Sequence, residues 1–278
     1  MEKTIRSFII QSLVPIAFIM IWSTMSMSIN NPVILPGVGK VFWNLKNATD
    51  NFIGLGSIPS NIFVSLLRVL LGYSAGVIIA VPFGILMGYK GIFNKLFDNF
   101  INIFRPVPPL AWVPLVLGWF GVSSLSNLFG LKQGTMYVYL NNFKLSMIFI
   151  IALGTFFPVL TSVIFGVKNV KQTLIDSAKV LGASEKDIFL KTLIPGAAPT
   201  MVNGLRTGLG IAWACLVSAE MLPGSLSGVG YLITHSYELA RTDLVITGII
   251  CIGFVGAGLD WIFRKLEKKY FSWERKAR

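Results

Sequence analysis

Long apolar runs alternate with short polar ones along most of this chain. A helix needs about 20 mostly apolar residues to cross the hydrocarbon core of a bilayer. Six runs fit a spanning helix: residues 7–27, 63–87, 107–120, 147–167, 201–222 and 244–263. The third is the shortest, and Pro106, Pro108, Pro109 and Pro114 interrupt it. The pattern predicts an all-α, polytopic membrane protein with six transmembrane helices and a retained first span. Residues 21–29 carry no small-residue A-x-A site of the kind that ends a cleaved signal peptide.

Within the runs, glycines recur four residues apart, at Gly72 and Gly76, Gly84 and Gly88, and Gly204 and Gly208. Gly253, Gly256 and Gly258 crowd the last run. Small residues at this spacing let helix backbones approach where hydrophobicity cannot drive association, so the expectation is helix packing rather than ligand contact. Pro82 and Pro158 are expected to kink their helices.

Two segments between runs are longer than turns. The stretch GKVFWNLKNATDNF places Val41, Phe42, Leu45 and Ala48 at helical spacing, which suits an interfacial helix. Residues 122–146, VSSLSNLFGLKQGTMYVYLNNFKLS, are polar and aromatic, and MYVYL there fits a short strand or part of a helix.

The conspicuous polar stretch is KQTLIDSAKVLGASEKDIFLKTLIP, residues 171–195. Leu174, Ile175, Ala178 and Leu181 form an apolar stripe at helical spacing, and Gly182 follows as a helix-ending glycine does. Ser184 with Asp187 three residues on reads as a capping box. The second helix presents Ile188, Phe189 and Thr192 to one side and is expected to end at Pro195. A short helix, a tight turn and a second helix inside so apolar a chain suit a docking surface in the aqueous phase.

Composition agrees. Charged residues are 13% of the chain and apolar ones 54%, against roughly a quarter charged in soluble domains. The net charge of +12 does not point to nucleic acid. Seven of the 24 basic residues, Arg264, Lys265, Lys268, Lys269, Arg275, Lys276 and Arg278, flank the last apolar run. With the N-terminus inside, the inner segments hold seventeen basic residues and the outer ones five, while Arg68 and Arg206 fall within spans. Cytoplasmic loops carry the Lys/Arg excess, so both termini and residues 171–195 are expected in the cytoplasm. Arg105 is read as marking a cytoplasmic entry. For Arg68 and Arg206, pairing with an acid or snorkelling stands beside attraction of an anion. Cys215 and Cys251 lie in apolar runs and read as packing residues.

Several chemistries are excluded. There is no G-x-x-x-x-G-K-[ST] loop and no G-x-S-x-G, and the single histidine, His235, rules out an H-E-x-x-H zinc site. His235 falls in a predicted outer loop. Acids near the spans are scarce, with Glu220 and Asp260 the nearest, which weighs against a proton-coupled carrier. An integral-membrane enzyme would need a cluster of His, Asp or Cys that the chain lacks.

Asp176-Ser177-Ala178, then Gly182, then Leu193-Ile194-Pro195, resembles the E-A-A…G…I-x-L-P signature of permease subunits in binding-protein-dependent ABC importers. SLLRVLLGYSAGVIIAVPFGILMG, RPVPPLAWVPLVLGWFG, LGASEKDIFLKTLIPGAAP and GLRTGLGIAWACLVSAEML resemble the nitrate/sulfonate/taurine branch, and the resemblance covers most of residues 33–270. It implies the type I ABC importer permease fold and a transport subunit rather than an enzyme, in the bacterial plasma (inner) membrane. The chain itself would hold no cofactor and no metal; ATP and Mg would be bound by partner ATPase subunits. A second permease copy, as a homodimer, would complete the pore, and an extracytoplasmic substrate-binding protein would deliver the solute. The coupling contact with the ATPase would fall on Asp176, Ser177, Ala178, Leu181, Gly182, Ala183 and Ser184.

The departures are Asp176 for Glu, Ser177 for Ala, and residues 122–146, an outward insert where relatives pass through a short loop. The insert is expected to contact the binding protein or to lid the pore. The organisation this implies is an N-terminal span and outer segment (1–62), a core permease domain (63–270) and a basic cytoplasmic tail (271–278). Pore candidates are Trp112, Trp119, Trp213, Ser218 and Glu220; for each tryptophan, core packing or an interfacial belt is the alternative. The branch carries small anions such as sulfonates, taurine and nitrate; relatives carry pyrimidine-type vitamin precursors and aromatic acids. A secondary carrier working without ATPases would leave the 171–195 loop unexplained.

Overall fold

The structure, a computed structural model, describes residues 2–270; Arg275, Lys276, Arg278 and the expected tail at 271–278 lie outside the described residues. The chain is helical almost throughout. A single isolated antiparallel bridge, between Ser124 and Lys144, is the β-structure among the described residues.

The helices in order are α1 (Glu2–Ile29), α2 (Val38–Lys46), α3 (Ile58–Tyr89), α4 (Gly91–Phe104), α5 (Val113–Phe120), α6 (Leu125–Leu128) and α7 (Thr135–Asn141). Then come α8 (Leu145–Lys168), α9 (Gln172–Val180), α10 (Glu185–Asp187), α11 (Ile194–Glu220), α12 (Val229–Glu238) and α13 (Thr242–Tyr270). Among the described residues, four helices are long and apolar enough to cross a membrane: α1, α3, α8 and α13. A fifth span forms if α4 and the Pro109–Phe120 segment, bent 87° to each other, count as one. α11 has 27 residues, about 40 Å at 1.5 Å per residue, but Asn203, Arg206 and Thr207 and its many small residues dilute its apolar character.

The chain divides into two compact units. One comprises the chain up to Phe63 together with Ser227–Phe254; the other comprises Val64–Leu226 and the chain from Val255 on. In the first, α2 turns Val41 and Asn44 inward while Phe42 and Trp43 face out. Phe42 thus leaves the stripe that spacing assigned to it, because Asn44 takes the inner position instead. Asn44 Nδ2 donates to Asp243 Oδ2 at 3.1 Å, and Arg241 grips the same carboxylate with two bonds of 2.9 Å. Ile58, Leu232 and Cys251 form the core beside this network, with Leu45 and Ala48 against it. His235 lies on α12, not in a loop, and its ring stacks on Tyr231 one helical turn away.

In the second unit the glycine spacing sets the helix register. A Cβ on Gly72, Gly76, Gly84 or Gly88 of α3 would meet Ile151, Thr155, Val163 or Val167 of α8 at 2.6–2.8 Å. The partner advances in step with the glycine, so α3 and α8 pack in parallel. Gly204 and Gly208 of α11 meet Ser162 and Val159 in descending order, so α11 runs antiparallel to α8. Parallel α3 and α8 require the chain to return between them, and α4 with α5 supplies that return. This arrangement agrees with six alternating crossings. In α13, by contrast, Gly253 and Gly258 face open space and Gly256 alone abuts Trp213.

Two expectations are corrected here. The proposed third span at 107–120 is preceded by a 14-residue helix, α4, which places Phe93, Phe97 and Ile101 against the core of Ala80, Val159 and Val163. Its single-faced apolar pattern is too short to read as a span, and the prolines after it produce the bend. Pro195 does not end a helix: α10, a π-helical segment Ile188–Leu193 and α11 form one continuous helix from Glu185 to Glu220. Proline presses on the carbonyl four residues back and lacks an N–H. The wide π turns open the backbone where that clash would fall, and Ile194 N–H bonds back to the Phe189 carbonyl, five residues away.

Candidate functional site

The loop at 171–195 is a helix–turn–helix built as its residues dictate. α9 ends in a left-handed turn at Gly182, whose φ is +79°, a conformation that costs a residue with a Cβ. The Gly182 N–H bonds the Lys179 carbonyl and the Ala183 N–H the Ala178 carbonyl, closing the helix end. Ser184 Oγ accepts from the Asp187 N–H at 3.2 Å and donates to the Asp187 carboxylate, so the capping box is formed. Hydrogen bonds from Lys191 and Ser184 hold the Asp187 carboxyl below its usual value, and Asp187 raises Lys191 in return.

The apolar stripe splits. Ile175 packs on the core, whereas Val180 and Leu181 are 88% and 86% exposed. Two large aliphatic side chains stand bare at the tip of a charged loop, where none of the described residues covers them. Asp176 accepts from Gln172 Nε2 at 2.9 Å, and Ser177 caps back to the Thr173 carbonyl. Asp176, Ser177, Leu181, Gly182 and Ser184 are exposed, with Ala178 and Ala183 half-buried among them.

The five pore candidates do not share one cavity. Glu220 is fully buried: Arg68 Nη1 donates to it at 2.7 Å and Ser65 Oγ reaches both its oxygens at 2.8 and 2.9 Å. Arg68 Nε also donates to the Asn142 carbonyl at 2.8 Å, tying the insert at 122–146 to this pair. Trp112 packs against Val116, Met147 and Cys215, and its indole N–H is buried without a partner. Trp119 is 60% exposed and meets Phe149 edge-on. Ser218 is half-buried on the last turns of α11. Trp213 lines a cavity of about 200 Å³ with Arg206, Gly256 and Asp260.

Arg206 is the other basic residue that the sequence places inside a span. Its Nε bonds Asp260 at 2.5 Å, and Arg264 bonds the second oxygen of that carboxylate at 2.7 Å. Arg68 and Arg206 are thus both paired with acids. Residues 122–146 form α6 and α7, so MYVYL is helical, and Leu128, Phe129, Met136, Val138 and Tyr139 face outward. Lys144 closes the insert by bonding Asn141 Oδ1 at 2.9 Å. Burial, then the nearby Arg68 charge, lowers its ammonium pKa.

Sequence reasoning missed a groove of about 420 Å³ lined by Arg105, Gly154, Pro158, Thr161, Ser162 and Thr207, among others. Its one available signal was an arginine followed at once by a proline-rich bend.

Residues 80–272, which hold the end of α3, the bent return, α8, the exposed two-helix loop and α11, match a known family. The description "binding-protein-dependent transport system inner membrane component" covers residues 80–272. This chain belongs to that family of ABC importer permeases. A Methanocaldococcus jannaschii protein named as an ABC transporter permease is 43% identical over 97% of this chain and 94% of its own length. The taurine transport system permease of Escherichia coli is 31% identical, covering 91% of this chain and 84% of its own. The nitrate import permease of Synechocystis is 30% identical, over 83% and 74%. Among solved structures, the MetNI methionine ABC transporter in an inward-facing form overlays with a TM-score of 0.61. That match has 15% identity and covers 78% of this chain and 96% of the other. The permease is therefore a membrane transport subunit with the importer fold.

Proposed function

We propose that this permease forms half of a translocation pore for a small anion, with a sulfonate, taurine or nitrate as its class. A second copy completes the pore, and both termini are cytoplasmic. Cytoplasmic ATPase subunits, which bind ATP and Mg, drive it through the loop at 171–195. An extracytoplasmic binding protein delivers the solute to the outer face, where the insert at 122–146 offers its exposed aromatic side chains.

One observation carries the coupling assignment. Val180 and Leu181 are bare beside the left-handed Gly182 turn, which the Gly182 and Ala183 N–H bonds close on one side and the Ser184 cap on the other. Large exposed aliphatic groups at a defined tip mark an interaction site. The names of the taurine, aliphatic sulfonate and nitrate relatives support the solute class.

Replacing Gly182 with valine, which disfavours a positive φ, tests the coupling role. Co-purification of the ATPase and ATP-driven uptake should both fall, while the permease still inserts into membranes. Normal assembly and uptake would refute the assignment.

A further inference from the structure

Among the described residues with placed side chains, four of the five arginines are paired with a carboxylate. Arg68 pairs with Glu220, Arg206 and Arg264 with Asp260, and Arg241 with Asp243. The exception is Arg105, whose side chain makes no hydrogen bond or ion pair among the described residues. It stands at the 87° bend between α4 and the helical segment that follows. From there it lines the groove against Gly154, Pro158, Thr161 and Ser162 of α8 and Thr207 of α11.

Those groove residues straddle mid-length in both helices, α8 running Leu145–Lys168 and α11 Ile194–Glu220. A charge lying against the middle of α8, a helix long and apolar enough to cross a membrane, is costly unless it meets a counter-ion or water. Here no acidic side chain lines the groove. The hydroxyls of Thr161 and Thr207 already donate to their own helix backbones, at 2.9 and 3.0 Å. That leaves the Arg105 guanidinium and the Ser162 hydroxyl as side-chain donors in the groove with no partner among the described residues. A concave site with donors and one fixed positive charge selects an anion.

We propose that this groove is a station on the solute path, where Arg105 and Ser162 hold the anionic group of the passing solute. The identity of the solute rests on the cargo reading above; the charge preference of the groove rests on Arg105.

The test places a reporter thiol on the opposite wall as Thr207→Cys. Its modification rates in membranes are compared for an anionic and a cationic methanethiosulfonate reagent. Cys215 and Cys251 are buried, and the parent chain is the control for their labelling. The anionic reagent should be favoured. Adding Arg105→Gln should lower the anionic-to-cationic rate ratio by about fivefold, the size expected for one charge at close range in a wet groove. Arg105→Lys should restore the ratio. An unchanged ratio, or no labelling by either reagent, overturns the proposal. In the assembled transporter with its ATPases, Arg105→Gln should also lower ATP-driven uptake of ethanesulfonate or nitrate. A wild-type transporter that carries neither anion overturns the cargo reading, and the labelling ratio then decides the charge of the groove by itself.

Discussion

Arg68 and Glu220 are 152 residues apart in sequence and 2.7 Å apart in space. Both were visible in the chain as rare ionisable groups in apolar runs, and pairing with an acid was among the expectations for Arg68. Which acid it finds could not be read from sequence, because the pairing depends on how α3 and α11 both pack on α8. A buried pair is satisfied only as a pair: removing one partner strands the other charge, at a cost of roughly 3–5 kcal/mol, whereas replacing both can be nearly neutral. Glu220→Gln should therefore lower the thermal unfolding midpoint of the purified permease clearly. The double change Arg68→Leu with Glu220→Leu should lower it less than the sum of the single changes. Strict additivity in that cycle would mean that the two groups do not act as one unit.

At the scale of elements, the glycines separate into two kinds that sequence could not tell apart. Gly72, Gly76, Gly84 and Gly88 each sit against α8 with no room for a Cβ, and at Gly76 the obstacle includes the Ala152 backbone carbonyl at 2.7 Å. Gly258 on α13 has nothing within 4 Å. Overpacking a tight contact costs typically about 1–3 kcal/mol, while alanine in an open helix position is favoured over glycine by about 1 kcal/mol. Gly76→Ala should lower the unfolding midpoint and Gly258→Ala should hold or raise it. The reverse order would contradict the α3–α8 register. The loop at 171–195 was more legible. Its turn and cap are local, set by Gly182 and by Ser184 with Asp187, so spacing alone identified them. The continuation through Pro195 was not legible, since a π segment depends on how the backbone relieves a proline rather than on side-chain pattern.

For the whole molecule, the insert at 122–146 is anchored rather than loose. Arg68 holds the Asn142 carbonyl, Ser124 pairs with Lys144, and the Leu125 N–H bonds the Phe143 carbonyl at 3.0 Å. Excising residues 124–142 would break that anchorage along with any docking function. Surface changes separate the two effects. Phe129→Asp and Tyr139→Asp, both at exposed positions, should leave thermal stability within error and weaken binding-protein docking and uptake. Unaltered uptake in both variants would remove the insert from the docking surface.

The sequence by itself determined the membrane class, the apolar runs, the glycine and proline positions, the capped loop and the family, because each rests on composition or on residues close together in the chain. The tertiary structure decided what joins distant segments. It set the parallel α3–α8 register and the antiparallel α8–α11 contact, matched Arg68, Arg206, Arg241 and Arg264 with their acids, and left Arg105 without a carboxylate among the described residues. Such pairings follow from helix packing across the chain, and local periodicity carries no record of which face meets which.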